Sequence, residues 1–292
     1  MKLYAIGITA VALGLSATLP GQNSPGHEPT RQKPTRQGAT SKPKTTATGS
    51  AQTKSPATHP SAMPARILAA VQDKTRSVRD RRRDKTRKPA EVLAFFGIHE
   101  GMQVADVMAG DGYYTELLSK IVGKTGKVFC QNSAIPLRVF ADKPLTKRLA
   151  NGRLPNVVRL DRELSDPGFP AGKLDAALLI RFYHDFKWQK VDRAAFNRTM
   201  FRALKPGAIF GVVDHHANAG AGDTVGKSLH RVEASLVRKE IEAAGFVLEA
   251  ESDILHNPKD THDWNIFSRK GFGRDATDRF VYRFRKPRKS PR

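Results

Sequence analysis

Cysteine is almost absent from this chain. Cys130 is the single thiol among 292 residues, so no internal disulfide holds the fold. It lies in an apolar run, where a buried and inert thiol is the expected reading. Acidic residues are scarce as well: 28 Asp and Glu face 50 Lys and Arg, a formal net charge of +22. That imbalance draws a chain toward anionic surfaces such as nucleic acid or phospholipid head groups. Apolar runs long enough to span a bilayer comfortably are lacking at the start of the chain. Leu3 to Leu15 is too short, and with Met1-Lys2 before it and Ser16, Ala17 and Thr18 after it the segment reads as a secretory signal. An A-x-A cleavage pattern is missing, which leaves an uncleaved membrane tether open. Large apolar residues nearly vanish from Pro20 to about Pro64, so that stretch cannot offset its chain entropy and reads as a disordered basic linker. The expected organisation is a signal or anchor over 1–19, the linker over 20–64, a basic helical lead-in over 65–88, the main domain over 89–287 and a basic tail over 288–292.

The most informative segment runs from Val104 through Asp106, Gly110 and Gly112 to Thr115. A short apolar run ends in an acid, a glycine turn follows, and a helix opens. In an open α/β sheet such a turn at the carboxyl end of the first strand floors a nucleotide site. Gly110 and Gly112 let the backbone approach a ligand closely, and the free N–H groups of a helix start favour a carboxylate or phosphate. The third glycine of a dinucleotide fingerprint is missing, and the bulky Tyr114 argues against that cofactor.

After Pro89 the pattern becomes regular. Strands are expected over Gln103–Val107, Lys127–Cys130, Asn156–Leu160, Leu174–Phe182, Ile209–Val213, Phe246–Ala250 and Arg279–Arg285. Helices are expected over Ala90–Phe96, Tyr113–Val122, Leu137–Leu149, Trp188–Leu204 and Leu229–Ala244. Strand–helix alternation through five strands implies a parallel, doubly wound sheet. No helical pattern separates the last two strands, so the seventh is expected to pair antiparallel with the sixth.

The glycine segment resembles motif I of the class I S-adenosylmethionine-dependent methyltransferases, D-x-G-x-G-x-G, with Met108 where the first glycine is usual. Leu204-Lys205-Pro206-Gly207 before the fifth strand is a second landmark those enzymes commonly carry. The phrases Phe182-Tyr183-His184-Asp185, Leu229-His230-Arg231-Val232-Glu233 and Asp278-Arg279-Phe280-Val281-Tyr282 look like those of predicted, often exported bacterial methyltransferases without a settled substrate. The resemblance covers roughly Pro89 to Lys286. It implies a Rossmann-like α/β three-layer sandwich of seven strands, five parallel βα units followed by the antiparallel pair, with S-adenosylmethionine as cofactor and an unidentified methyl acceptor as partner.

For the cofactor, the resemblance implies that Gly110 and Gly112 admit the methionine end and that Asp106 helps to set its ammonium group. The ribose position holds Gln131-Asn132 in place of an acid, and Asn132 can still hydrogen-bond two hydroxyls. Asp161 is a candidate for the adenine amino group or, equally, a loop acid. His184 is the first candidate for a base, since imidazole titrates near neutrality; Tyr183 or Tyr113 could face the sulfonium. Asp214 is expected to accept a hydrogen bond in the same cleft. Asp185, Asp214, His215 and His216 offer carboxylate and imidazole ligands from two strand ends, but no compact ligand motif joins them and no metal is assigned. A fold-retaining binding module and a nucleic-acid methyltransferase using Arg79 to Lys88 and Arg283 to Arg292 stay as alternatives. The second lacks the Asn-Pro-Pro-Tyr type of sequence after the fourth strand, so flipped-base chemistry has no support.

Overall fold

The computed structural model describes residues 63–268, 271 and 273–288. The signal-like start, all but the end of the expected linker and the basic tail past 288 lie outside the described residues. Among the described residues no helix is long and apolar enough to cross a membrane.

Among the described residues three short helices come first: α1 (Ala65–Gln72), α2 (Val78–Arg87) and α3 (Pro89–Phe95). Strand β1 (Gln103–Val107) feeds α4 (Tyr113–Val122), and β2 (Lys127–Asn132) follows. Helix α5 (Ala134–Pro136) runs through a π turn at Leu137–Ala141 into α6 (Asp142–Leu149). Then come β3 (Val157–Asp161), β4 (Leu174–Ile180), α7 (Arg193–Ala203) and β5 (Leu204–His215). Helices α8 (Gly226–Leu229) and α9 (Ala234–Glu242) precede β6 (Val247–Ser252) and β7 (Arg279–Arg285).

The seven strands form one sheet in the order β3-β2-β1-β4-β5-β7-β6. β1 to β5 run parallel, and β7 inserts antiparallel between β5 and β6. The order reverses between β1 and β4, which places the switch-point crevice outside their carboxyl ends. Val104 and Ala105 of β1 and Ala176 to Leu179 of β4 are fully buried, as the central strands of a sheet covered on both faces must be. One apolar cluster packs Phe196, Met200, Val237 and Ile241 of α7 and α9 on one face; the other packs Leu93, Leu117, Leu118 and Ile121 of α3 and α4.

Several elements differ from their sequence expectation. Ile67 and Ala70 of α1 belong to the second cluster, so the segment over 65–88 packs into the same core as α4. The strand expected to begin at Ile209 begins at Leu204, because Leu204 pairs with Leu174 before a register irregularity carries the Lys-Pro-Gly turn. One helix expected over 229–244 is two. His230 leaves α8 in a left-handed conformation (φ 54°), and Val232 makes a bridge to His216 before α9 begins.

Candidate functional site at the carboxyl ends of the strands

The glycine turn is held from three sides. Gln131 Oε1 accepts from Met108 N at 3.1 Å, and Gln131 Nε2 donates to the Arg162 carbonyl. Asn132 Oδ1 accepts from Gly110 N at 2.8 Å, and its Nδ2 donates to the Gly110 carbonyl at 3.2 Å. From α6, Arg148 Nε donates to the Asp111 carbonyl at 2.7 Å, while its guanidinium pairs with Asp80 of α2 and with Glu116 of α4. Asp80 and Glu116 are 2% and 1% exposed, so this network is shielded from solvent screening. Helix α4 starts from Gly112 at φ 79° with no side-chain cap.

Backbone strain concentrates here. Met108, at the position where the resembled motif has glycine, sits at φ 53°. On the neighbouring strand, Arg181 sits at φ 63° directly after β4. Non-glycine residues at positive φ cost free energy and persist where the surroundings over-determine them. Arg181 N donates to the Val213 carbonyl at 2.6 Å, and its Nη1 meets Asp275 Oδ1 at 2.5 Å. Asp275 also pairs with Arg83 and Arg87 of α2. Burial raises the Asp275 carboxyl, but Arg181 and Arg83 outweigh it and hold it below its ordinary range.

The structure moves several expected residues out of the crevice. Tyr113 is 2% exposed and points at α2: its hydroxyl donates to Asp84 at 2.6 Å, and Arg87 lies 4.4 Å from its ring centre. That ring already faces a protein cation, so it is not turned to a sulfonium. Tyr183 is buried between α7 and α9, donating to Glu240 at 2.7 Å and accepting from Asn197 at 3.0 Å. Asn132 bonds Gly110 through both amide atoms and so braces the turn. Asp106 is also inward: it accepts from the Thr115 hydroxyl at 2.6 Å, and burial pushes its carboxyl up to about 7. Asp161 stays accessible at the end of β3, paired with Arg159.

His184 differs from expectation in its charge. Burial pushes its imidazole down, but the Asp214 and Asp185 carboxylates outweigh burial and lift it to about 10. Nδ1 meets Asp214 Oδ1 at 2.7 Å, and Nε2 lies 3.2 Å from Asp185 Oδ1. An imidazolium gripped at both nitrogens has no lone pair to take a proton, which removes His184 as a general base near neutrality. Asp214 also accepts from His184 N and His215 N, at 2.8 and 2.7 Å. Burial and the neighbouring His184 charge hold His215 well below its ordinary range, and its Nδ1 meets Thr277. His216 stacks with His262 and faces Phe280 instead.

Arg181, Asp275 and His230 were not among the sequence candidates for this edge. His230 Nδ1 approaches Asp185 Oδ1 at 3.1 Å. A cavity of about 340 Å³ lies elsewhere, at the opposite edge of the sheet beside Met102, Asp175 and Lys205. It is lined by the Lys205–Asp175 ion pair and the Pro206-Gly207 turn, and it lies away from the switch point, where α/β sheets of this kind bind ligands.

Similarity to solved structures agrees with the topology. A SAM-dependent methyltransferase from Aquifex aeolicus matches with a TM-score of 0.52 at 21% identity, covering 70% of this chain and 92% of its own. A candidate sarcosine dimethylglycine methyltransferase from Galdieria sulphuraria matches at 0.51 and 16% identity, over 75% of this chain and 90% of its own. The chain has the fold of the SAM-dependent methyltransferases. The [4+2]-cyclase SpnF also matches, at 0.50 and 15% identity, over 76% of this chain and 92% of its own. No protein-family model matches the chain, and no curated protein does.

Proposed function

We propose that this protein is an S-adenosylmethionine-dependent methyltransferase whose cofactor lies across the carboxyl ends of β1 and β4. The observation that carries this reading is the glycine turn at the switch point of a sheet with this strand order, flanked by the strained Met108 and Arg181. The cradle fits such a ligand: a Cβ on Gly110 would meet only the edge of Phe140, at 3.4 Å, so the backbone is open to close approach. The uncapped start of α4 favours the cofactor carboxylate. Asp161, accessible at the end of β3, would meet the adenine amino group. When bound, the cofactor supplies a methyl carbon already activated by its sulfonium.

The protein's task is then to hold and align. Gln131, Asn132 and Arg148 fix the turn from beneath, and Asp275 ties α2 to the end of β4. His184, held as an imidazolium, would not abstract the acceptor's proton, and a nucleophile that arrives ionised would need no base. The signal-like start supports an envelope location. Fusion of the full chain to alkaline phosphatase, with activity confined to the unexported fraction, would sink that location without touching the chemistry.

Calorimetric titration of the full chain with S-adenosylmethionine and S-adenosylhomocysteine tests the cofactor. Saturable binding that Gly110→Arg abolishes, with circular dichroism unchanged, is the expected result. A folded wild-type chain that binds neither compound overturns the reading.

A further inference from the structure

We propose that His184, Asp185 and His230 form a binding site for a divalent first-row transition-metal ion. The three residues come from two separate phrases of the sequence, yet one ligand atom of each lies within 4.8 Å of the others. His184 Nε2 and His230 Nδ1 stand 3.2 and 3.1 Å from Asp185 Oδ1. An ion bound at about 2.0–2.2 Å from such donors sets neighbouring ligand atoms roughly 3.0–3.4 Å apart. The two separations to Asp185 fall in that range, and an ion would draw the two imidazole nitrogens, within 4.8 Å of each other, onto it.

The supporting groups are those a metal site requires. Asp214 is fully buried and holds His184 Nδ1 at 2.7 Å, so the carboxylate orients the imidazole and leaves Nε2 facing Asp185; an ion there would take the place of the Nε2 proton, which is released on binding. Ligating histidines usually have such a partner on their other nitrogen. Asp214 is itself fixed by two backbone N–H groups. Trp188 Nε1 donates to Asp185 at 2.7 Å and steadies the second ligand. The third is delivered by Gly226: a Cβ there would lie 2.4 Å from the His184 carbonyl, so only glycine lets α8 pack this closely and bring His230 in.

Two nitrogens and one carboxylate suit Zn²⁺, Fe²⁺ or Mn²⁺ better than the all-oxygen cages of Ca²⁺. Of the four residues the sequence suggested as ligands, only Asp185 lies in this set. Asp214 stands behind it, and His215 and His216 turn to Thr277 and to Phe280. The side chains of Asp185 and His230 are 14% and 21% exposed, and the half-exposed Trp188 and Phe267 border the group. Solvent thus reaches the site, and three protein ligands leave coordination positions open, as catalytic ions require. The inference is independent of the cofactor reading.

The test uses the tag-free full chain, stripped with chelator and titrated calorimetrically with Zn²⁺, and with Co²⁺ followed by its visible absorption. One ion per chain at roughly micromolar affinity or tighter is expected. His230→Gln and Asp185→Asn, each with unchanged circular dichroism, are expected to weaken binding at least tenfold. Asp214→Asn is expected to weaken it by about 10–100-fold. His256→Gln, in the separate His256–Asp278–His262 contact, is expected to keep one ion. Absence of saturable binding by the folded wild type overturns the proposal. So does binding that survives both His230→Gln and Asp185→Asn, or that is lost with His256→Gln alone.

Discussion

Asp106→Asn separates a structural acid from a ligand-facing one, and its effect is a function of pH. Asp106 is 2% exposed, and burial lifts its carboxyl to about 7 against the 3.9 of an unfolded chain. Between those values the folded state keeps a proton that the unfolded state has released. Stability therefore falls as pH rises from about 4 to about 7 and is flat above that. Three units correspond to about 4 kcal/mol. The amide is never charged, and its oxygen can still accept from Thr115, so the variant carries no such slope. Burial also holds the His215 and His216 imidazoles down. Unlike Asp106, these favour folding as pH rises toward 6.5, but they act equally in both proteins and cancel in the difference. Urea denaturation followed by circular dichroism at pH 4.5, 6 and 8 should show Asp106→Asn gaining on the wild type by about 3–4 kcal/mol across that range. Parallel pH dependences in the two proteins would refute the argument, because they would mean that Asp106 titrates as an ordinary carboxylate.

Two further substitutions test the packing around the site. Gly112→Ala places a Cβ 2.9 Å from Leu145 and 3.0 Å from Arg148 at a backbone φ of 79°. A loss of about 1–3 kcal/mol in urea is expected from left-handed strain plus displacement of Arg148, whereas Gly152→Ala (φ 62°, nothing within 4 Å) should cost only the strain; equal losses would contradict the steric account. Arg231 and Asp260 are both fully buried and joined by two 3.0 Å hydrogen bonds, so Arg231→Met strands a carboxylate and should cost about 3–5 kcal/mol. Arg231→Lys should fall between, since an ammonium cannot make the fork, and a Met variant as stable as wild type would show that the pair contributes nothing net.

Much of the fold was legible because local pattern and global topology agree. β1, α4 and β7 match their expected bounds, since an apolar run, a glycine turn and an alternating strand each leave an unambiguous signal. The parallel βα units followed from strand–helix alternation, and the β1–β4 neighbourhood from the resemblance to the class I methyltransferases. The site was less legible, because a side chain's direction depends on partners the sequence does not announce. Tyr113 turns to Asp84, 29 residues earlier, and Tyr183 to Glu240, 57 residues later. The basic run over 79–88 gave no sign that Asp80 and Arg87 would be buried while Arg79 stays exposed. His184 was recognisable as a polar group at the strand end, but its charge is set by Asp214, which β5 delivers from 30 residues away. His230 lay in a segment that reads as a continuous helix, and its approach to Asp185 rests on the missing Cβ of Gly226.

The same fold in a methyltransferase from Aquifex aeolicus and in the cyclase SpnF means that the sheet supplies a place and not a reaction. In this chain, what is particular to the place is where free energy has been spent against local preference. Met108 and Arg181 hold positive φ on adjacent strand ends, at about 1–3 kcal/mol each. A plain βα connection would have no reason to keep both, because a glycine would relieve either. The turn between them is braced by amides that could have faced solvent, and α2 lends two charged partners, Arg83 and Arg87, to Asp275 to keep the end of β4 in line. Such over-determination fixes the backbone of an open crevice while the polar side chains nearby are turned inward. A rigid main-chain cradle with few free side chains suits a ligand held through N–H and carbonyl groups, as the proposed function requires.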